Sequence, residues 1–301
     1  VALKPLHGVL LLDKPPGPTS NQALRRIARV IPGVKAGHSG TLDPMASGLL
    51  LVLLGEATKA APFLDEEPKV YLAKVLLGVE TDTYDMEGRV LREAAVTNDD
   101  EAVREAFEGL KGERKQYPPP FSAAKVDGVP MYRYARRGLQ VEGRTRRVRV
   151  HSVELRGTER KGERMEVELL ISCSRGTYVR SLCHEVGQSL GCGATLTALR
   201  RLSAGPYRVE EARGLEEWCA RLKEGNAEGV LGIVEALAHL PRVEVEGETA
   251  RRVRNGSPLP APPPVVGEPF LVTGEGGIPL AVQIAEGATG ERMKVLRVFN
   301  L

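Results

Sequence analysis

Gly37-His38-Ser39-Gly40-Thr41-Leu42-Asp43-Pro44 is the stretch whose reading decides this chain. It sets an Asp between a Gly-containing turn and a Pro, and a small-apolar run over residues 45–54 follows at once. Pro44 fixes its own φ and biases Asp43 away from helix, so local sterics restrict the direction of the carboxylate. Gly37 and Gly40 permit positive φ or close backbone approach on the other side. The stretch therefore reads as a rigid loop presenting one carboxylate and one imidazole. Residues 49–54 then read as a buried strand that Gly55 ends.

The chain has 301 residues, enough for one large domain plus a small one. It is 42% hydrophobic and 27% charged, an ordinary globular balance. The formal net charge of +3 does not by itself point to nucleic acid. Its distribution says more: residues 131–150 carry Arg133, Arg136, Arg137, Arg144, Arg146, Arg147 and Arg149 against Glu142 alone. A local excess of planar, always-charged guanidinium groups suits phosphate contacts, although such a run also serves as a solvated face. Cys173, Cys183, Cys192 and Cys219 form no CxxC pair and no zinc spacing, so free thiols in a reducing cytosol are expected. No apolar run is long enough to span a membrane, and residues 1–12 lack the basic and cleavage regions of a signal peptide. A cytoplasmic protein is the expectation.

Residues 8–13 read as a buried strand, and Lys14-Pro15-Pro16-Gly17-Pro18 as a stiff turn. Thr19 or Ser20 then caps a helix to about Ile31. Residues 69–77 read as a strand, and Thr81 to Gly88 as a polar loop. Residues 98–110 read as a helix whose Asn98 and Glu101 are spaced like a capping box. Tyr117-Pro118-Pro119-Pro120 cannot continue a helix or pair in a central strand, and it opens an insertion over 121–147. Strands are predicted over 148–155 and 165–173, and helices over 177–190, 196–202 and 214–222. From about residue 238 repeated Gly and Pro turns separate short β-like pieces, with a Pro-rich stretch at 258–264, the texture of a small β-barrel module. Two domains follow: 1–238 and 239–301.

Six separated motifs, in order, resemble those of the TruB-type tRNA pseudouridine synthases. They are Gly8 to Ser20 (GVLLLDKPPGPTS), Gly37 to Pro44, and Lys69-Val70-Tyr71 with Leu77-Gly78. Then come Ser122-Ala123-x-Lys125 through Ala135-Arg136, Ser174-Arg175-Gly176-Thr177-Tyr178-Val179-Arg180, and Leu199-Arg200-Arg201-Leu202. The fourth resembles the insertion called the thumb, and the C-terminal piece resembles a PUA RNA-binding module. Pattern alone supports a mixed α/β fold with a small all-β tail. The resemblance implies an α/β (α+β) pseudouridine synthase fold, with a mixed, mostly antiparallel sheet, flanking helices and the thumb at 121–147. A β-barrel PUA domain follows.

The resemblance also implies roles. Asp43 is the catalytic carboxylate, by attack on the sugar, attack on the ring, or abstraction of a ribose proton. Arg180 is its ion-pair partner, and Tyr71 stacks on the target uracil. Leu199 walls the uracil pocket, and His38 braces the gap left by base flipping. Tyr178, Asp85 and Lys14 are expected at the substrate, and Lys125, Tyr132, Arg136 and Arg137 on the thumb are expected to close over RNA. Read without the resemblance, Asp43 is equally a turn residue and Tyr71 a core strand residue. The implied activity is isomerisation of uridine 55 in the T-loop of tRNA, by a monomer with no metal, cofactor or protein partner. Its rivals are a guide-RNA-dependent synthase subunit, a non-catalytic RNA-binding or RNA-folding protein, and an unrelated small-molecule enzyme. The thumb argues against the first, since guide-dependent members lack it.

Overall fold

The computed structural model describes residues 6–64, 68–139, 141–260 and 264–301. Parts of the first twelve residues, of the insertion and of the Pro-rich 258–264 stretch lie outside that set. The chain divides into two compact units, one of residues 1–44, 49–65 and 211–301, the other of residues 45–48 and 66–210.

In the first unit the strand Gly8–Lys14 lies between Arg213–Gly214, to which it is parallel, and Ser47–Leu54. Leucines and valines fill both strands because both faces are covered, which is why neither alternates. The helix Ser20–Val30 starts at Thr19, and a capping box with Gln22 satisfies its first N–H groups. It packs on the helix Leu215–Lys223. Trp218 of that helix is buried and donates its indole N–H to the Leu11 carbonyl at 2.8 Å. Residues from Arg242 onward form a separate four-stranded sheet, with a core of Val253, Leu259, Phe270, Val272, Leu280 and Ala281. A helix, Gly247–Arg254, accompanies it. It was not expected, because Val253 is its one buried side chain and a polar run carries no apolar stripe.

The second unit is built on a mostly antiparallel sheet. Its order is Ala194–Ala204, Lys69–Leu77, Arg164–Cys173, Arg146–Lys161, Gly112–Gln116. Lys69, Tyr71, Ala73, Val75 and Leu77 alternate inward and share their face with Met165, Val167, Leu169, Ile171 and Cys173. The helix Asp100–Glu108 starts two residues later than the predicted 98–110 span, and its cap lies one residue later. Asp99 caps it, accepting from Ala102 N–H, so Asn98 is not the cap.

The predicted 196–202 helix is wrong: these residues belong to the strand Ala194–Ala204. Bulges between Leu196 and Ala198 and between Arg201 and Ser203 break its alternation. Each inserts an extra residue, so buried Leu196 and Leu199 fall three apart and imitate a helical period.

Gly48 pins this strand. It lies at φ +99°, and a Cβ there would come within 2.2 Å of the Arg201 carbonyl oxygen, opposite which it pairs in parallel register. Gly48→Ala is expected to destabilise the protein by about 2 kcal/mol or more, read as a lowered urea midpoint with unchanged m-value.

Candidate functional site

Asp43 lies in a hairpin loop. Ala36–Ser39 is a short strand antiparallel to Ser47–Leu54, so His38 stands opposite Val52 in the ladder, just before the rigid loop on which it was expected. The loop proper begins at Gly40, whose φ of +71° turns the chain. On both sides of Asp43 the backbone is fastened. The Ser20 hydroxyl accepts from Leu42 N–H at 2.9 Å and donates to Leu42 C=O at 3.0 Å. The Pro44 carbonyl accepts from Gly17 N–H at 2.9 Å and from Lys14 Nζ at 3.3 Å.

Lys14, expected at the substrate, is part of this fastening. Its side chain is fully buried, and the ammonium also donates to the Pro15 and Pro18 carbonyls at 2.8 Å each. A buried cation needs acceptors, and here they are the turn Pro15-Pro16-Gly17-Pro18 and the residue after Asp43. Lys14 is a clamp on the loop.

In the second unit Tyr71 and Leu199 share a face. Tyr71 pairs with Ile171 and Arg201, and Leu199 pairs with Ala73, the next inward position. Both are 7% exposed. Diagonal neighbours at this spacing on one face are within reach of an aromatic ring. Arg201, 1% exposed on the same strand, is a buried cation the sequence reading did not single out.

Arg180 is 3% exposed in the first turn of the helix Val179–Ser189. Its guanidinium donates to Asp85 Oδ2 at 3.0 Å, to the Thr83 carbonyl at 2.9 Å and to the Phe121 carbonyl at 3.0 Å. Asp85, expected at the RNA, is 3% exposed and built into this pair. Its other oxygen accepts from Thr83 Oγ1 at 2.6 Å and from Glu87 N–H at 3.1 Å. A carboxylate so enclosed holds the arginine. The alternating hydroxyls and acids of Thr81-Asp82-Thr83-Tyr84-Asp85 were the sequence signal for such a self-bonded loop.

Tyr84, at φ +63°, stacks on His184 with ring centroids 3.8 Å apart. Burial pushes the imidazole pKa down and the phenol pKa up. With Arg89, Phe121, Met131 and Leu139 they line a cleft of about 680 Å³.

Tyr178 is the half-buried N-cap residue of the Arg180 helix. On the thumb, Lys125–Val126 and Val129–Pro130 make a hairpin. Its turn residues Asp127 and Gly128 have φ of +50° and +78°, the geometry a tight hairpin favours. Lys125, Arg136 and Arg137 are exposed, and Arg136 lies over the half-buried Tyr132 ring at 5.5 Å. Among the described residues Arg144, Arg146, Arg147 and Arg149 are exposed and form no ion pair, leaving their charge toward solvent. Among the same residues no cluster of His, Cys, Asp and Glu could hold a metal ion, and no helix is long and apolar enough to cross a membrane.

The profile described as "TruB family pseudouridylate synthase (N terminal domain)" matches residues 25–179. That described as "tRNA pseudouridylate synthase B C-terminal domain" matches 180–237. The chain is 48% identical over 258 residues to tRNA pseudouridine synthase B of Aromatoleum aromaticum, covering 85% of this chain and 82% of that one. It is 39% identical over 306 residues to tRNA pseudouridine synthase B of Syntrophotalea carbinolica, covering 98% of each. Its fold is similar to that of Cbf5 in the crystal structure of the archaeal box H/ACA sRNP Nop10-Cbf5 complex. The TM-score is 0.72 at 25% identity, over 98% of this chain and 86% of that one.

Two outcomes follow from these contacts. Ser20→Ala removes both bonds to the Leu42 peptide. It should lower stability by about 1–3 kcal/mol and speed amide exchange at Leu42, read by hydrogen exchange. Burial pushes the Cys183 thiol up to about 12, so its thiolate is scarce at neutral pH. A disulfide-exchange reagent at pH 8 should leave Cys183 unmodified until the protein is unfolded.

Proposed function

The chain belongs to the TruB family of pseudouridylate synthases, and from that membership we propose that it isomerises uridine to pseudouridine in tRNA, at position 55 of the T-loop. The reaction breaks the C1′–N1 bond, turns the uracil, and joins C1′ to C5. N1 gains a proton and C5 loses one, so the balance closes without an oxidant or reductant. Nothing in it calls for a redox cofactor.

Asp43 supplies the carboxylate. The observation that carries this reading is the fastening of its loop by Ser20, Gly17 and Lys14. A carboxylate that must meet one atom of the target nucleotide gains from a backbone that does not have to be ordered at the moment of reaction. Tyr71 and Leu199 supply the apolar, aromatic face for the extruded base, and Arg180 a desolvated cation in the site. His38, on a paired strand, braces the helix position from which the base departs, since unstacking costs a few kcal/mol. Tyr178, at the start of the Arg180 helix, lies beside the same substrate.

Lys125, Tyr132, Arg136 and Arg137 grip the RNA loop, cations on phosphate and the ring on an unpaired base. The sheet from Arg242 onward serves as a PUA-like RNA-binding module. The protein acts on tRNA as a monomer, with no guide RNA and no protein partner; the thumb between Gln116 and Arg146 favours this over the guide-dependent arrangement.

The test is tritium release from a T-stem-loop RNA labelled at C5 of the target uridine. The unaltered protein should release tritium, and Asp43→Asn should lower the rate by about 10³-fold or more while RNA affinity changes little. Release by neither, from folded protein that binds this RNA, would replace the isomerase reading with one of binding alone.

A further inference from the structure

The helix that carries Arg180 begins at a peptide gripped by another side chain. Gln116 ends the strand Gly112–Gln116 and is 1% exposed. Its Oε1 accepts from Tyr178 N–H at 2.8 Å, and its Nε2 donates to the Tyr178 carbonyl at 3.1 Å. A side-chain amide offers one acceptor and one NH₂ group, and here both serve the backbone of a single residue. Tyr178 is the N-cap of the helix Val179–Ser189 and has no side-chain cap of its own.

Two more bonds run between the same segments. Ser181 Oγ donates to the Tyr117 carbonyl at 3.0 Å, and Arg180 Nη2 to the Phe121 carbonyl at 3.0 Å. Pro118-Pro119-Pro120 connects these acceptors, and three fixed φ angles make that span stiff. The entry to the thumb and the first turn of the Arg180 helix are thus bonded at four points. Gln116 is the buried end of that seam.

We propose that Gln116 is a positioning residue for the isomerisation. It ties the start of the Arg180 helix to the chain that enters the thumb, and that tie sets the placement of the guanidinium. This rests on the reading of Arg180 as a cation of the active site. A small displacement of such a group costs rate without costing binding.

The test uses the full chain and a C5-labelled T-stem-loop RNA at saturation, with RNA affinity measured alongside. Gln116→Met keeps the length of the side chain and removes both bonds. It should lower the single-turnover rate by about tenfold or more with Kd within about threefold. Gln116→Glu gives a second signature. A protonated carboxyl can donate to the Tyr178 carbonyl and accept from its N–H, whereas a carboxylate sets an acceptor against that carbonyl. Burial and the facing carbonyl both favour the neutral form. The rate of Gln116→Glu relative to the unaltered protein should therefore recover as the pH falls from about 8 to about 5.5.

A Gln116→Met rate within about twofold of the unaltered protein, or a loss carried by RNA affinity, overturns the proposal. Should that variant fail to fold, the Glu variant decides: recovery in acid upholds the proposal, and a flat ratio overturns it. Arg180→Lys, run in parallel, separates the two readings. If it turns over normally, the role given to Arg180 fails and the positioning role falls with it. If it is impaired while Gln116→Met is not, only the positioning role fails.

Discussion

Two buried cations organise the loops of this chain. Lys14 and Arg180 are 0% and 3% exposed. A charge taken out of water is tolerated only where acceptors replace the water. For Lys14 those acceptors are the carbonyls of Pro15, Pro18 and Pro44. For Arg180 they are Asp85 and the carbonyls of Thr83 and Phe121. In each case segments far apart in sequence are drawn to one point. The loop carrying Asp43 is tied to the Pro-rich turn of residues 15–18, and the Thr81–Gly88 loop and the thumb root are tied to one guanidinium. Prolines suit the Lys14 site because a proline carbonyl still accepts while its nitrogen donates nothing that must be satisfied.

The sheet of the second unit supplies the other requirement, a fixed face. Lys69–Leu77 is hydrogen-bonded along both edges, to Arg164–Cys173 and to Ala194–Ala204, so the Tyr71 position is set by two registers at once. A one-residue slip would turn Tyr71 to the opposite face and move the whole inward row with it. Bulges in Ala194–Ala204 allow Leu199 and Arg201 both to be buried on that strand. A bulge re-aims side chains locally while the ladder on either side stays paired.

Rigid backbone at Asp43 and at Arg180 stands against exposed, charged side chains on the thumb. The proposed isomerisation needs groups whose positions do not have to be found during the reaction. Recognition of RNA phosphate needs guanidinium groups free to follow the ligand. The described residues divide along that line: Asp43 sits on a loop whose flanking residues Leu42 and Pro44 make four hydrogen bonds at the backbone, whereas Arg136 and Arg137 lie toward solvent.

The sequence by itself determined the family and most elements. Thr19 with Gln22, alternation through 165–173 and the Pro-Pro-Pro break before the thumb are local chemistry, legible without a partner strand. Its motifs also marked Asp43, Tyr71 and Arg180 as a set. Only the tertiary structure decided what each polar side chain does within that set. Lys14 and Asp85 were expected at the substrate from the resemblance alone, and only the structure shows Lys14 buried against carbonyls and Asp85 buried against Arg180. Residues 196–202 of the strand Ala194–Ala204 read as helix because bulges are set by the neighbouring strand, which the local period does not record. Gln116 carried no signal at all: an amide at the end of a short strand gains its meaning from Tyr178, 62 residues further along the chain. Propensity and period are properties of neighbours in sequence; satisfaction of a buried donor or charge is a property of neighbours in space.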